Sequence, residues 1–168
     1  VEGRPGRTAL VLALEVCSLH LQSDDSIENM VVSALFADGA AAALVQNAAA
    51  PPANGAGPRL LDSATFCDYN TAEHMAFHVT DHGFQMRLSA YVPQILAANV
   101  EAFVDGLLGR NGLSRAAVRF WGIHPGGSKI LDSIQARLGL TDAHLEHSRA
   151  VLRDYGNMSS HPLLDWRL

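Results

Sequence analysis

Two residues in the second half of the chain are of types that can stabilise a growing negative charge. His124 closes the apolar run FWGI and is followed at once by Pro125, Gly126 and Gly127. Asn157 follows the helix-stopping Gly156 in YGNMSS. An imidazole N–H and a neutral amide N–H aimed at one carbonyl oxygen make an oxyanion site, a pairing that suits enolate chemistry at a thioester. Each residue also has an ordinary reading. The histidine can end a strand and bond to a backbone carbonyl, and the asparagine can cap a helix or make an Asx turn. Cys17 adds a thiol. By residue type Cys17, His124 and Asn157 form the trio of a cysteine hydrolase. Against that reading, Cys17 ends an apolar strand with no glycine turn or helix N-terminus to lower its pKa. Cys67, in TFCDYN, reads as a small core or loop residue. His74, His78 and His82 recur at steps of four in HMAFHVTDH, which on a helix would share a face suited to zinc. The β-branched pair Val79–Thr80 and Gly83 oppose a helix there, so no metal site is expected. His144 and His147 read as solvent-facing helix residues.

These residues need elements to hold them. TALVLALEV (residues 8–16) reads as a fully buried strand, which requires covering layers on both faces. A chain opening on such a strand is expected to lack what precedes it. Residues 23–36 read as a helix starting near Asp25, and residues 37–46 as a turn at Asp38–Gly39 entering a small-residue strand. NAAAPPANGAGP (residues 47–58) reads as an exposed loop. Residues 59–66 and 84–90 alternate as strands do. Residues 92–112 form the clearest helix: Pro93 fits its first turn, Ile95, Val100, Phe103 and Leu107 share a face, and Gly109 and Gly112 close it. VRFWGI (residues 118–123) reads as a strand and SKILDSIQARLG as a helix. TDAHLEHSRAVLRDYG reads as a last helix, with Thr141 as N-cap and Gly156 as stop. Alternating strands and helices define an α/β class, in which ligands sit beyond the carboxyl ends of strands. His124 lies at such an end.

Composition narrows the function classes. With 168 residues, 48% of them hydrophobic, the chain can bury a sizeable core. A net charge of −5 without a Lys/Arg run gives no reason to expect nucleic acid or an anionic membrane as partner. No apolar run reaches the length of a spanning helix, and the arginine-bearing start VEGRPGRT lacks a secretory core. Two cysteines do not make a disulfide framework, so a cytoplasmic setting is expected.

FWGIHPGG, ILDSIQARLGL, SRAVLRDYGNMSS and ALFADGAAAALV, in that family's order, resemble the type III polyketide synthases, the chalcone synthase-like branch of the thiolase superfamily. VTDHGFQMRLSAYVP is closer to the bacterial members. The resemblance runs from about Thr8 to Ser160. It implies a thiolase-like layered α/β/α/β/α fold, present only in part. Residues 1–46 would end the N-terminal half, and residues 59–168 would form a truncated C-terminal half, joined by the loop 47–58.

The resemblance also implies roles. His124 and Asn157 are matched to the family's catalytic histidine and asparagine. The histidine would hold a nucleophilic cysteine as thiolate, and both would bind the thioester oxygen of malonyl-CoA as decarboxylation leaves an enolate. Phe36, in LFADG, would flank the acyl-transfer site and exclude water. Met86 falls at a second gatekeeper position, where a flexible thioether would leave an adaptable passage. Cys17, His20 and Ser159 fall at cavity-wall positions. Phe77 stands where plant members have glycine and would narrow the cavity. Gly126, Gly127 and Lys129 would line the CoA entrance. For each, ordinary packing or surface exposure is the alternative. The substrates would be an acyl-CoA starter and malonyl-CoA, with no resident cofactor, and the full-length protein would be a homodimer. The chain departs from the family by lacking the nucleophilic cysteine, the basic residues that hold CoA phosphates, and the GFGPG loop after NMSS. It therefore reads as a fragment, inactive alone and poorly soluble.

Two readings of different class stand. The chain is the C-terminal portion of an acyltransferase, or it is a catalytically inactive product that binds a full-length synthase. A thiolase or ketoacyl synthase is the nearest enzymatic rival.

Overall fold

The computed structural model describes residues 6–22, 25–47 and 58–160. Residues 1–5 of the arginine-bearing start, the first residues of the predicted helix at 23–24, most of the predicted loop 47–58, and the C-terminal HPLLDWRL lie outside the described residues.

Strand β1 (Thr8–Glu15) and strand β2 (Gly39–Gln46) pair antiparallel, from Thr8 opposite Gln46 to Glu15 opposite Gly39. Helix α1 (Ile27–Leu35) connects them. Ser26 caps α1, its hydroxyl accepting from the Asn29 N–H at 3.2 Å. β1 departs from the expected full burial. Leu10, Leu12 and Leu14 share one face by the two-residue period and are 58%, 70% and 71% exposed, beside an equally bare Leu44 on β2. Among the described residues no layer covers that face.

Strand β3 (Met75–Thr80) and strand β4 (Gly83–Leu88) form a second antiparallel pair. The Thr80 hydroxyl ties the turn, donating to the Gly83 carbonyl at 2.9 Å and accepting from the His82 N–H at 3.2 Å. His74, His78 and His82 therefore lie on a 3-10 turn, on a strand and in a hairpin turn, not on one helix face. Among the described residues no group of three His, Cys, Asp or Glu could hold a metal ion.

The predicted strand at 59–66 does not form. Asp62 instead anchors this segment to the end of helix α2 (Val92–Arg110), accepting from Arg110 Nη2 at 2.9 Å and Asn111 Nδ2 at 2.8 Å. Those side-chain bonds hold an irregular path, and Leu60 and Leu61 stay exposed. α2 also runs through Gly109 rather than stopping there. The predicted strand at 118–123 has no ladder partner among the described residues.

Helix α3 (Ser128–Leu138) starts directly after His124-Pro125-Gly126-Gly127. Helix α4 (Asp142–Tyr155) is capped reciprocally by Thr141 and His144, whose Nδ1 accepts from the Thr141 N–H at 3.1 Å. The core lies among α2, α3 and Trp121. Trp121, Ile134 and Leu138 are buried, with Val100, Val104 and Leu108 of α2 against them. Leu131 of α3 and Leu145 of α4 are fully buried. This packing fixes the two helices that flank His124 and Asn157.

Candidate active site

Asn157 is held where two helix ends meet. Its N–H donates to the Leu35 carbonyl at 2.8 Å, and its carbonyl accepts from the Ala37 N–H at 3.0 Å, so Phe36 and Asn157 form a parallel bridge. Gly156 makes this approach possible. Its φ is +77°, and a Cβ there would stand 3.1 Å from the Leu35 carbonyl oxygen.

The Asn157 side chain is buried, and its amide orientation follows from its partners. Oδ1 accepts from the Ser159 N–H at 2.9 Å, and Nδ2 donates to the Gly126 carbonyl at 3.3 Å. A backbone N–H can only donate and a carbonyl can only accept, so the reverse orientation would pair like with like. One amide proton answers Gly126, and the amide nitrogen carries a second.

His124 reaches the same glycine. Behind it, the Gly126 N–H donates to the His124 carbonyl at 2.9 Å across Pro125, which is fully buried. The ring lies against Gly126: a Cβ on that glycine would be 3.3 Å from His124 Cδ2 and 3.5 Å from Nε2. Both side chains thus meet at Gly126. Burial pushes the His124 pKa below the ordinary histidine value. The neutral ring that burial favours still offers one N–H.

Phe36 links this pair to a cleft of about 300 Å³, lined by Cys17, Ser18, His20, Val32, Phe36 and Asp38 among others. Burial, with Glu15 and Asp38 nearby, pushes the Cys17 thiol pKa up. Cys17 opens a 3-10 turn (Cys17–His20), a helical start that the sequence reading did not anticipate. That turn does not activate it, because Asp38 takes the next donors: Ser18 N–H at 2.7 Å and Ser18 Oγ at 2.6 Å.

His20 packs on the hairpin, 5.3 Å from the Phe77 ring and edge-on to Phe84 at 5.6 Å. Phe77 lies directly opposite Met86 in the β3–β4 register, so the two share a sheet face. Cys17, His20 and Phe36 therefore line one cleft, and Phe77 adjoins it through His20. Ser159 has φ +55° and supplies the N–H that orients Asn157. Lys129 is exposed in the first turn of α3, and Gly127 caps that helix.

Two contributors were not singled out from sequence. Leu35 matters through its carbonyl, which no side-chain pattern reveals. Ser148, 1% exposed on α4, donates its hydroxyl to the Ile123 carbonyl at 2.7 Å. Its signal was a serine spaced with Leu145 and Leu152 on an inward helix face.

The fold and this site define a class. The chain belongs to the chalcone and stilbene synthase family: the family model described as "Chalcone and stilbene synthases, C-terminal domain" matches residues 61–165. Among curated proteins, it is 37% identical over 160 residues to 3,5-dihydroxyphenylacetyl-CoA synthase of Streptomyces toyocaensis, covering 93% of this chain and 41% of that protein. It is 34% identical to 1,3,6,8-tetrahydroxynaphthalene synthase of Streptomyces peucetius subsp. caesius, covering 96% and 43%.

Among solved structures, the crystal structure of 1,3,6,8-tetrahydroxynaphthalene synthase from Streptomyces coelicolor, a bacterial type III polyketide synthase, matches with TM-score 0.86 and 31% identity. That match covers 96% of this chain and 45% of the other. PKS-I from the brown alga Ectocarpus siliculosus matches with TM-score 0.85 and 34% identity, covering 95% and 42%. The thiolase-like α/β fold of the type III polyketide synthases is thus present in part, and the chain spans about two-fifths of the length of these relatives. No helix among the described residues is long and apolar enough to cross a membrane.

Proposed function

We propose that the chain is the C-terminal portion of a type III polyketide synthase, an acyltransferase that condenses malonyl-CoA onto an acyl starter in polyketide biosynthesis. The observation that carries this reading is the meeting of His124 and the oriented Asn157 amide at Gly126. Malonyl-CoA loses its carboxylate as carbon dioxide, and the released electron pair becomes an enolate. The enolate oxygen accepts from the His124 ring N–H and the second Asn157 amide proton. Its carbon then attacks an acyl thioester on a cysteine outside this chain, and the thiolate leaves.

Decarboxylation itself supplies the carbanion, so the reaction requires no resident cofactor or metal. CoA enters as the substrate's own carrier, past Gly126, Gly127 and Lys129. Phe36 shields the reacting thioester, and Cys17, His20, Phe77, Met86 and Ser159 bound the growing chain. A homodimer in the cytoplasm completes the reading.

The test is malonyl-CoA decarboxylation by the complete gene product, read as carbon dioxide release and acetyl-CoA formation. His124→Ala and Asn157→Ala should each lower the rate about 100-fold to 1,000-fold, as loss of one oxyanion donor does, with circular dichroism unchanged. Full activity in either variant would remove that residue from the mechanism.

A further inference from the structure

We propose that Ser148 is a positioning residue that sets His124 relative to Asn157, a role that rests on the oxyanion reading above. Ser148 lies on the middle turns of α4 and is almost completely buried. A serine there ordinarily bonds back to the carbonyl one turn earlier. Its hydroxyl instead crosses to the Ile123 carbonyl at 2.7 Å.

That carbonyl belongs to the peptide joining Ile123 to His124. A planar peptide moves as a unit, so holding its oxygen also holds the His124 nitrogen and restricts the rotation that aims the ring. The next peptide is held too, because the His124 carbonyl accepts from the Gly126 N–H at 2.9 Å and the fully buried Pro125 fixes the turn. His124 is therefore clamped on both sides, and only the upstream clamp comes from a side chain.

The helix that supplies this clamp also delivers the second donor. α4 ends at Tyr155, Gly156 closes it, and Asn157 follows. One rigid element thus grips the backbone before His124 at its middle and presents Asn157 at its end. Two donors serving one enolate oxygen must keep their separation, and an error of about 1 Å in such a site costs about 100-fold in rate. Ser148 touches neither substrate nor reacting atoms. It acts by fixing that separation.

The experiment compares Ser148→Ala, Ser148→Thr and His124→Ala in the complete gene product. Malonyl-CoA decarboxylation is measured per folded molecule, with kcat and KM separated. Ser148→Ala should lose about 10-fold to 100-fold in kcat with little change in KM. Ser148→Thr, which keeps the hydroxyl, should restore most of that loss.

Should Ser148→Ala fail to fold, Ser148→Cys replaces the hydroxyl with a larger, weakly donating thiol and should show the same kcat loss. A Ser148→Ala or Ser148→Cys enzyme with wild-type kcat beside an inactive His124→Ala enzyme overturns the positioning role alone. A loss of melting temperature with unchanged kcat does the same. Wild-type activity in His124→Ala overturns both this role and the oxyanion reading.

Discussion

The Asn157 side chain donates to the Gly126 carbonyl at 3.3 Å, joining residues 31 positions apart at a buried point. The contact separates the amide of Asn157 from its shape. Asn157→Asp puts an oxygen where Nδ2 faces the Gly126 carbonyl, so two acceptors meet with little water to screen them. The Ser159 N–H already holds the other oxygen. Asn157→Asp should therefore lose decarboxylation as fully as Asn157→Ala, and should also be less stable by about 1–3 kcal/mol, the cost of an unmet buried polar group. Urea unfolding of Asn157→Asp against the wild type checks this. A midpoint equal to that of the wild type would mean the amide is not held as described.

Gly126→Ala tests the other side of the meeting point. The added methyl would stand 3.1 Å from Ile130 Cδ1 and 3.3 Å from His124 Cδ2. Both are side-chain atoms that can give by a few tenths of an ångström, so the stability cost should stay near about 1 kcal/mol, at the low end for overpacking. The imidazole must move to make room, and the two donors then no longer share one oxygen. The rate of malonyl-CoA decarboxylation should fall about 10-fold or more while the melting temperature changes little. A variant that loses stability but keeps its rate would place the ring away from the chemistry.

The legible parts of the fold were those written in local chemistry. Thr141 and Gly156 mark the ends of α4 by a side chain or by the lack of one, and α1 begins close to the Asp25 start read from the sequence, with Ser26 as its cap. Of the hairpin around Gly83 only the second strand was read from the sequence, as residues 84–90, and its partner Met75–Thr80 was not. Residues 59–66 and 118–123 misled because alternation or apolar character predicts a strand only if a neighbour exists. Asp62 finds Arg110 and Asn111 instead. β1 looked buried for the same reason, since its run of leucines and valines is of the buried type and no described element covers it. His124 and Asn157 stood out by type and by their glycine-rich surroundings. The Leu35 carbonyl and the Ser148 hydroxyl, which hold them, depend on which segments meet in space.

Cys17 separates the proposed mechanism from a cysteine hydrolase. Burial, Glu15 and Asp38 all raise its pKa, so the thiol stays protonated at neutral pH. It lines the cleft with His20 and Phe36. Cys17→Ala in the complete gene product should keep malonyl-CoA decarboxylation within about 3-fold and change the preference among starters of different length, since a pocket methylene is worth about 10-fold or more in discrimination. Competition between acetyl-CoA and a long-chain acyl-CoA reads out the change. Abolished acyl loading in Cys17→Ala would make this thiol the nucleophile and restore the hydrolase reading.

His124 gives stability a pH dependence whose sign follows from its burial. Desolvation lowers its folded-state pKa below the ordinary value, which is about 6.5 in an unfolded chain. As pH falls through that value the unfolded chain takes up the proton first, so unfolding becomes easier. The contribution is fully present above the unfolded pKa and is lost as pH falls toward the folded one. An opposing thiolate would cancel the shift, so the measurement uses enzyme whose nucleophilic cysteine has been alkylated with iodoacetamide. Between pH 7.5 and pH 5 (about one unit above and 1.5 below that unfolded value), the urea midpoint should fall further in the alkylated wild type than in alkylated His124→Gln, which has no ring to titrate. Equal falls in the two proteins would mean that His124 is solvated in the folded state, and the neutral-donor form assigned to it would lose its physical basis.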